Sequence, residues 1–404
     1  MTVTFLTHYY PPEVGAPQAR ISTLARLLAE RGVSVTVHTG FPHYPDGRVK
    51  PPYRVRPWLV EAEAPVRLIR SAVYPAPNRG FGRRLAGHLS FAGSALATAR
   101  VAGPADVVVG ESPPLFVGAA TIPYARLVGA AAVLNVADRW PASAVELGVI
   151  RSRSAIRAAE RLERASYRRA AAITVPTEGL AGDIGQLPEA GGKVVRLGPA
   201  VDTDRFRPLP APAGDGPLRI LYAGTIGLAQ GVGTLLEAAR IAGPEVELHI
   251  AGDGAEAADL RDRLRRNPAA NVRLLGAVPH EQVPALYGDV DAAAVLLRDR
   301  PVFESALPTK LLEAMAAGRP VLLSASGESA RLVEAAEAGL VVPPGDAVAL
   351  ADAMRRLRSA TSSSLGALGA AGRSYVERHF GWDSAAARWQ DLLERVAAQE
   401  PNSP

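Results

Sequence analysis

The sequence predicts two α/β domains in tandem, each a doubly wound parallel sheet, with the two facing each other across a cleft. Three observations predict it. Short, almost wholly apolar runs alternate with amphipathic stretches, as in a parallel sheet covered on both faces. A segment rich in Pro, Gly and Ala, RPLPAPAGDGP at 207–217, interrupts the pattern as a linker does. Beyond it the alternation starts again. Domain bounds follow at 1–206 and 218–381, and a last helix near 382–398 carries Trp389, Leu392, Leu393 and Val396 at helical spacing. That helix is long enough to pack back on the N-terminal domain.

The strands of the first half read as VTFLTH, VSVTVHTG, VRLIRSAV, ADVVVGE, AAVLNVAD and AAITVPT. Those of the second read as LRILYAG, VELHIAGDG, VRLLGAV, DAAAVLL, RPVLLSA and GLVVP. Ligands of such sheets bind beyond the carboxyl ends of the strands. The loops there carry the candidates for chemistry.

Composition narrows the chemistry. The 404 residues include no cysteine, which removes disulfides, thiolate metal sites and thiol catalysis. No signal-peptide pattern opens the chain, and no uncharged apolar run reaches the length of a membrane span, so a cytoplasmic protein is expected. Residues 1–210 carry a net charge of +10 and the remainder −5. A basic half suits anionic phospholipid, a lipid phosphate or nucleic acid, or it is scatter among surface arginines.

Four loops stand out. In YYPPEVGAPQAR (9–20), Gly15 precedes a helix and could bring backbone N–H groups to an anion, with Arg20 nearby. In LYAGTIGLAQGVG (221–233), Gly224, Gly227, Gly231 and Gly233 cluster at a helix entry, as in a phosphate cradle without a Walker sequence. Gly252-x-Gly254-x-x-Ala257 imitates a dinucleotide fingerprint, but no acidic residue ends the next strand, which argues against NAD or flavin. In ADRWPASAVELGV, Asp138 and Trp140 follow a strand, and Asp138 could bind or deprotonate a hydroxyl or simply cap a helix. The pairs Asp202/Asp204 and Asp289/Asp291 read as turn and cap residues, so no metal is implied.

The segment LPTKLLEAMAAGRPV (307–321) reads as a helix opened by Pro308 and closed by Gly318. Lys310 and Glu313 share a face, and Ala314 and Ala317 extend it, leaving room for something large to approach.

Together these stretches, with GFPHYPDG (40–47) and GLVVPPGD, resemble the GT-B-fold retaining glycosyltransferases of family 4, built from two Rossmann-like domains. The resemblance is to bacterial enzymes of surface-polysaccharide synthesis, of the L-fucosamine-transferase and colanic-acid type. It implies transfer of a hexose-type sugar from a nucleotide diphosphate sugar, a UDP-sugar first, with no metal or other cofactor. It further implies that Glu313 binds the ribose hydroxyls. Backbone and side chains at Gly15, Gly224, Thr225, Ile226, Gly227, Gln230, Gly231, Gly252, Leu307, Pro308, Thr309, Lys310 and Leu311 would hold the rest of the donor. Lys310 is expected to act catalytically on the leaving diphosphate, and Asp138 on the acceptor side with Arg20 and Trp140.

Implied partners are a polyprenyl-diphosphate-linked glycan or another hydroxyl acceptor, and an anionic membrane surface met by Arg79, Arg83 and Arg84 beside Phe81 and Leu85. Nucleic acid is not expected. The chain departs from the family pattern at Ser305, Thr225, Gln230 and Ala137, where many relatives carry Glu, Arg, Lys and His. Other readings are a transferase for a small natural product, a nucleotide-sugar epimerase, or a nucleotide-sugar-binding protein without turnover.

Overall fold

The computed structural model describes residues 1–13, 15–44, 46–54, 56–63, 65–76, 81–146, 150–210 and 216–399. Arg79 and linker residues 211–215 lie outside the described residues, as do Pro45 of GFPHYPDG and residues 147–149 of the fourth loop. The chain divides into two compact units, one of residues 1–198 and the chain from Ala385 onward, the other Pro199–Ser384.

The first unit holds β1 (Thr2–Leu6), β2 (Ser34–Gly40), β3 (Trp58–Glu63), β4 (Val66–Ser71), β5 (Val107–Ser112), β6 (Ala131–Val136), β7 (Ala172–Val175) and β8 (Val194–Arg196). Their order across the sheet is β3-β4-β2-β1-β5-β6-β7-β8. All neighbours pair parallel except β3 with β4. The sequence reading missed β3 and β8. The link from β3 to β4 is too short for a crossover, so that pair can only run antiparallel. β8 is three residues long and too short to show a period.

The second unit holds β9 (Leu218–Ala223), β10 (Val246–Ala251), β11 (Val272–Gly276), β12 (Ala292–Leu296), β13 (Val321–Ser324) and β14 (Gly339–Val342). They lie in the order β11-β10-β9-β12-β13-β14, all parallel. Both faces are buried, as alternation along β9 makes plain. Leu221 and Ala223 join one apolar cluster with Leu311, Leu312 and Met315. Ile220 and Tyr222 join the other, with Leu235 and Leu236.

Strand order fixes where a ligand can approach. The chain leaves β1 toward β2 on one side and later returns to β5 on the other; β9 stands likewise between β10 and β12. These are the topological switch points, where the loops beyond the strands part and leave a crevice. The loops 9–20 and 221–233 begin at those two points.

The expected domain boundary at 206 shifts to Gly198/Pro199. Phe206 is buried in the second unit's core, and Val201 N–H donates to the Phe380 carbonyl at 2.9 Å. The Arg373 guanidinium donates to the carbonyls of Thr203, Phe206 and Ala316 at 2.7–2.8 Å. Further on, buried Arg319 donates to the carbonyls of Tyr287 and Leu209 at 2.6 and 2.9 Å. The segment read as the start of a linker is therefore fastened down as far as Pro210. The last helix, Trp382–Ala397, buries Trp389, Leu392, Leu393 and Val396, and its Gln390 accepts from Arg31 Nε at 2.8 Å.

Candidate functional site

The second unit concentrates the donor-site candidates at the switch point after β9. The helix Thr309–Ala316 follows Pro308, whose fixed φ suits a helix entry. It ends where Gly318 turns to φ +66. Lys310 projects from its first turn back over β9. Its ammonium donates to the Tyr222 hydroxyl at 2.8 Å and lies 4.5 Å from the centre of that ring. The Tyr222 hydroxyl in turn donates to the Thr225 carbonyl at 2.5 Å. A Cβ on Gly224 would meet the ammonium at 2.8 Å, so a side chain there would displace it. The glycine loop and the start of the helix thus meet on one ammonium group.

Burial lowers the Lys310 pKa from its ordinary value near 10.5 to about 8, with Glu313 acting weakly in the other direction. A cation held in that state gains most from an anion that arrives to share its site. The N–H groups of Thr225, Gly227, Thr309 and Lys310 have no partner among the described residues. They are four donors flanking the ammonium in sequence, two on the loop and two on the helix.

One turn on, Glu313 is largely buried, with a carboxylate oxygen 3.0 Å from His280 Nε2. Ala314 and Ala317 do not extend an open face; both are buried in the apolar core. Their small size serves close packing inside the unit, where Gly369 and Gly372 of the helix Ser362–Phe380 come against Gly318 and Met315.

Several backbone groups expected to hold the donor are already committed. Gly224 N–H donates to the Ala251 carbonyl at 2.9 Å, Ile226 N–H to Asp253 at 2.9 Å, Gln230 N–H to Gly227 at 3.2 Å and Gly252 N–H to Gly276 at 2.7 Å. Leu311 N–H donates to Pro308 at 3.0 Å, and the Leu311 and Ile226 side chains are core residues. Gly231 caps the helix Val232–Ala242 with φ +65 and lies against the Arg298 stem. Leu307 and Pro308 are partly buried beside the helix start.

The false fingerprint also has a structural explanation. Cβ atoms on Gly252 and Gly254 would sit 1.8 and 2.4 Å from the carbonyl oxygens of Gly224 and Ile226. Two loops press backbone to backbone there, and only glycine permits it. A cavity of about 340 Å³ opens beside them, lined in part by Ile226, Gln230, Gly231, Arg263, Arg298 and Ser324. Lys310 and Glu313 do not line it.

In the first unit, the loop after β1 is built around Glu13, whose carboxylate is fully buried. One oxygen accepts from the backbone N–H groups of His43 and Tyr44 at 2.8 and 2.7 Å. This carboxylate ties YYPPE to GFPHY, two stretches 30 residues apart. Glu13→Ala leaves two buried N–H groups unpaired, at ~1–3 kcal/mol each. Its melting temperature is expected to fall by about 5–20 °C, and Glu13→Gln, which keeps an acceptor oxygen, to recover most of that.

The Arg20 guanidinium donates to Glu111 at 2.7 Å, and the other Glu111 oxygen accepts from the Thr7 hydroxyl at 2.5 Å. Arg20 therefore neutralises a buried carboxylate instead of waiting for an acceptor. Gly15 has an extended backbone at φ 167, and its missing side chain makes room for Gln18, whose Oε1 would lie 2.5 Å from a Cβ. Its glycine is explained by packing against Gln18.

Asp138 is exposed just past β6, and its carbonyl accepts from Trp140 N–H at 3.0 Å. Asp138 and Arg139 act electrostatically on the buried pair Glu163 and Tyr167, joined at 2.9 Å. Burial raises the Glu163 pKa.

Sequence reasoning missed a ring cluster at this end of the sheet. His8 packs edge-on against His88 at 4.8 Å, Phe91 at 5.2 Å and His43 at 5.6 Å between centroids. Burial, then His88 and His43, hold His8 well below the usual imidazole range; burial, then Arg84 and His43, lower His88 to about 4. His8 and His88 are therefore uncharged at neutral pH. No sequence spacing joins residues 8, 43 and 88; only the sheet does. Tyr222 and His280 were missed for the same reason.

Asp202 Oδ1 accepts from the N–H groups of Asp204 and Arg205, and Asp291 Oδ2 from Arg219 N–H, so both acidic pairs have structural work. Among the described residues no three His, Asp or Glu side chains are arranged to hold a metal ion.

A switch-point glycine loop, a lysine over it and a helix entry beside it form an arrangement suited to a phosphate group in an α/β protein. Two family models match, "Glycosyl transferase 4-like domain" over residues 15–200 and "Glycosyl transferases group 1" over 217–359. The chain belongs to this glycosyltransferase family.

It is 32% identical over 212 residues, 49% of this chain and 54% of the relative, to the GDP-mannose-dependent α-(1-6)-phosphatidylinositol monomannoside mannosyltransferase of Mycobacterium tuberculosis. It is 30% identical over 211 residues, 50% of this chain and 51% of the relative, to the amylovoran biosynthesis glycosyltransferase AmsK of Erwinia amylovora. The matched stretch spans about half the length of these curated relatives. Among solved structures, sucrose-phosphate synthase of Thermosynechococcus elongatus superposes with a TM-score of 0.76 at 20% identity, over 98% of this chain and 99% of that one. That likeness extends the two-domain fold over nearly the whole chain.

Proposed function

We propose that the chain is a retaining glycosyltransferase that moves a hexose-type sugar from a nucleotide diphosphate sugar to a hydroxyl acceptor, without a metal ion. The observation that carries this is Lys310, a part-buried ammonium poised between the glycine loop and the start of the helix Thr309–Ala316, with Glu313 one turn beyond. Lys310 and the free N–H groups of Thr225, Gly227, Thr309 and Lys310 stabilise the charge that grows on the leaving diphosphate. The positive end of the helix adds to this. The sugar's bond to the diphosphate oxygen breaks and a bond to the acceptor oxygen forms on the same face. The acceptor's proton passes to the departing phosphate, so no strong side-chain base is required. Glu313 accepts from the ribose hydroxyls. Asp138, exposed beyond β6, remains the acceptor-side candidate.

The test is thermal stabilisation by UDP, GDP and dTDP, with NAD as a control. The sequence reading places UDP first, and the mycobacterial relative is named for GDP-mannose. One nucleoside diphosphate at about 100 times its dissociation constant should add ~2.7 kcal/mol to the wild type and much less to Glu313→Ala. Stabilisation by none of them, or by NAD alone, would sink the proposal.

The acceptor class we propose is a glycan carried on a polyprenyl diphosphate at an anionic membrane surface. No helix among the described residues is long and apolar enough to cross a membrane. Support comes from the first unit, where Trp58, Val60, Tyr74 and Leu89 are exposed, with exposed Arg54, Arg56, Arg83 and Arg84 nearby in sequence. Apolar and basic groups together suit a charged lipid interface. The protein should sediment with phosphatidylglycerol vesicles at low salt, and less when Arg83 and Leu89 are both replaced by Ser. No sedimentation of the wild type would remove the membrane from the reading.

A further inference from the structure

The geometry points to His280 as the positioning residue for Glu313, and through it to a preference for ribose over 2′-deoxyribose in the bound nucleotide. The inference rests on the reading of Glu313 as the ribose-binding carboxylate.

His280 lies in the 3₁₀ turn His280–Gln282, between β11 and β12 and 33 residues before Glu313. Its Nε2 is 3.0 Å from Glu313 Oε1. The imidazole is 40% exposed and the carboxylate 14%, so the pair stands at the surface with the acid turned inward. The back of the imidazole is fixed by Phe206, a core residue whose ring centre is 5.6 Å away. A carboxylate offers about four acceptor positions and His280 occupies one, so Oε2 and part of Oε1 stay open to a diol. Glutamate is a rotamer-rich side chain, and ordering it on binding has an entropic cost. The histidine meets that cost before the ligand arrives, which is preorganisation.

The other charged groups that act on this carboxylate do not replace that contact. Lys310 interacts with Glu313 electrostatically but spends its hydrogen bond on Tyr222. Tyr287 is buried beneath, its hydroxyl held far above the usual range by burial and then by the Glu313 charge. Glu281, next to His280, turns to Arg205 at 3.9 Å.

A fixed carboxylate senses the loss of one ribose hydroxyl more sharply than a loose one, because a site built for a hydroxyl is left with an unanswered acceptor. His280→Phe keeps a ring against Phe206 and removes the donor. His280→Gln keeps a donor at similar reach.

The experiment is calorimetric titration of UDP, 2′-deoxy-UDP, GDP and 2′-deoxy-GDP into wild type, both His280 variants and Glu313→Ala. In the wild type the ribose form of the preferred base should bind ~10-fold or more tighter than its deoxy form, as expected for a hydrogen bond to a charged group. His280→Phe should weaken the ribose form by ~5–10-fold and the deoxy form by less than about twofold, and His280→Gln should restore discrimination. Equal weakening of both forms, or no change in His280→Phe, would overturn the assignment while leaving the donor site standing. Failure of both UDP and GDP to bind a wild type that dTDP stabilises would overturn the ribose preference and leave the donor site standing, whereas failure of all three would remove the donor site itself and this inference with it.

Discussion

Lys310→Met is expected to leave a folded protein that has lost about 10²–10³-fold in the rate of sugar transfer, the usual effect of removing one preorganised group from a developing charge. The side chain is largely buried, and methionine fills similar volume without the cation. Folding should therefore hold or improve while turnover collapses. Melting curves and initial rates on one preparation read both.

The same lysine gives the wild type a pH signature. Its pKa drops from near 10.5 in the unfolded chain to about 8 in the folded one. Between those values the unfolded chain holds more protons, so this group's contribution makes stability rise as pH climbs through the window. Donor binding runs the other way. A diphosphate prefers the protonated amine, so affinity should be level below pH 8 and fall above it, by at most ~10-fold per unit. Lys310→Met should bind weakly at every pH with that slope gone. A slope unchanged in the variant would detach the titration from Lys310.

Gly252→Ala should be the most damaging small substitution in the second unit. The added methyl would sit 1.8 Å from the Gly224 carbonyl oxygen, on a residue already at φ +148. Both partners are backbone, and the Gly252 N–H is tied to Gly276 at 2.7 Å, so neither side can yield cheaply. A loss of ~4 kcal/mol or more is expected, beyond the usual range for a single change. Gly276→Ala is the control. It too has positive φ, at +73, but no atom lies within 4 Å of its added carbon. That variant should cost ~1–2 kcal/mol, from backbone strain alone. If both variants melt alike, backbone collision is not what selects glycine at 252.

The contrast between these positions shows what the sequence disclosed and what it could not. The two sheets were legible because strand and helix periods differ and both sheet faces are apolar. Pro308, Gly318 and the Lys310–Glu313 spacing were legible because they belong to one helix, whose geometry is local. The partners of those side chains were not. Tyr222 lies 88 residues before Lys310 and His280 33 before Glu313, and strand order alone brings them together. Gly252 looked like a ligand-binding glycine because close backbone approach demands the same residue whether the neighbour is a phosphate or another loop. Ala314 and Ala317 misled in the same way, since smallness does not say whether protein or ligand fills the space. β3 was hidden by its unusual direction in an otherwise parallel sheet.

Arg319 and Arg373 give the segment 199–210 an unusual kind of fastening. Six main-chain oxygens in all, three for Arg319 and three for Arg373, are held by these guanidinium groups. A carbonyl cannot be protonated in the range where carboxylates titrate, and it carries no net charge for salt to screen. These guanidinium–carbonyl contacts are thus less sensitive to acidity and ionic strength than an ion pair would be. Salt that loosens surface ion pairs elsewhere should leave the amide protection of Val201 and Phe206, whose N–H groups donate to main-chain carbonyls, unchanged at a fixed pH.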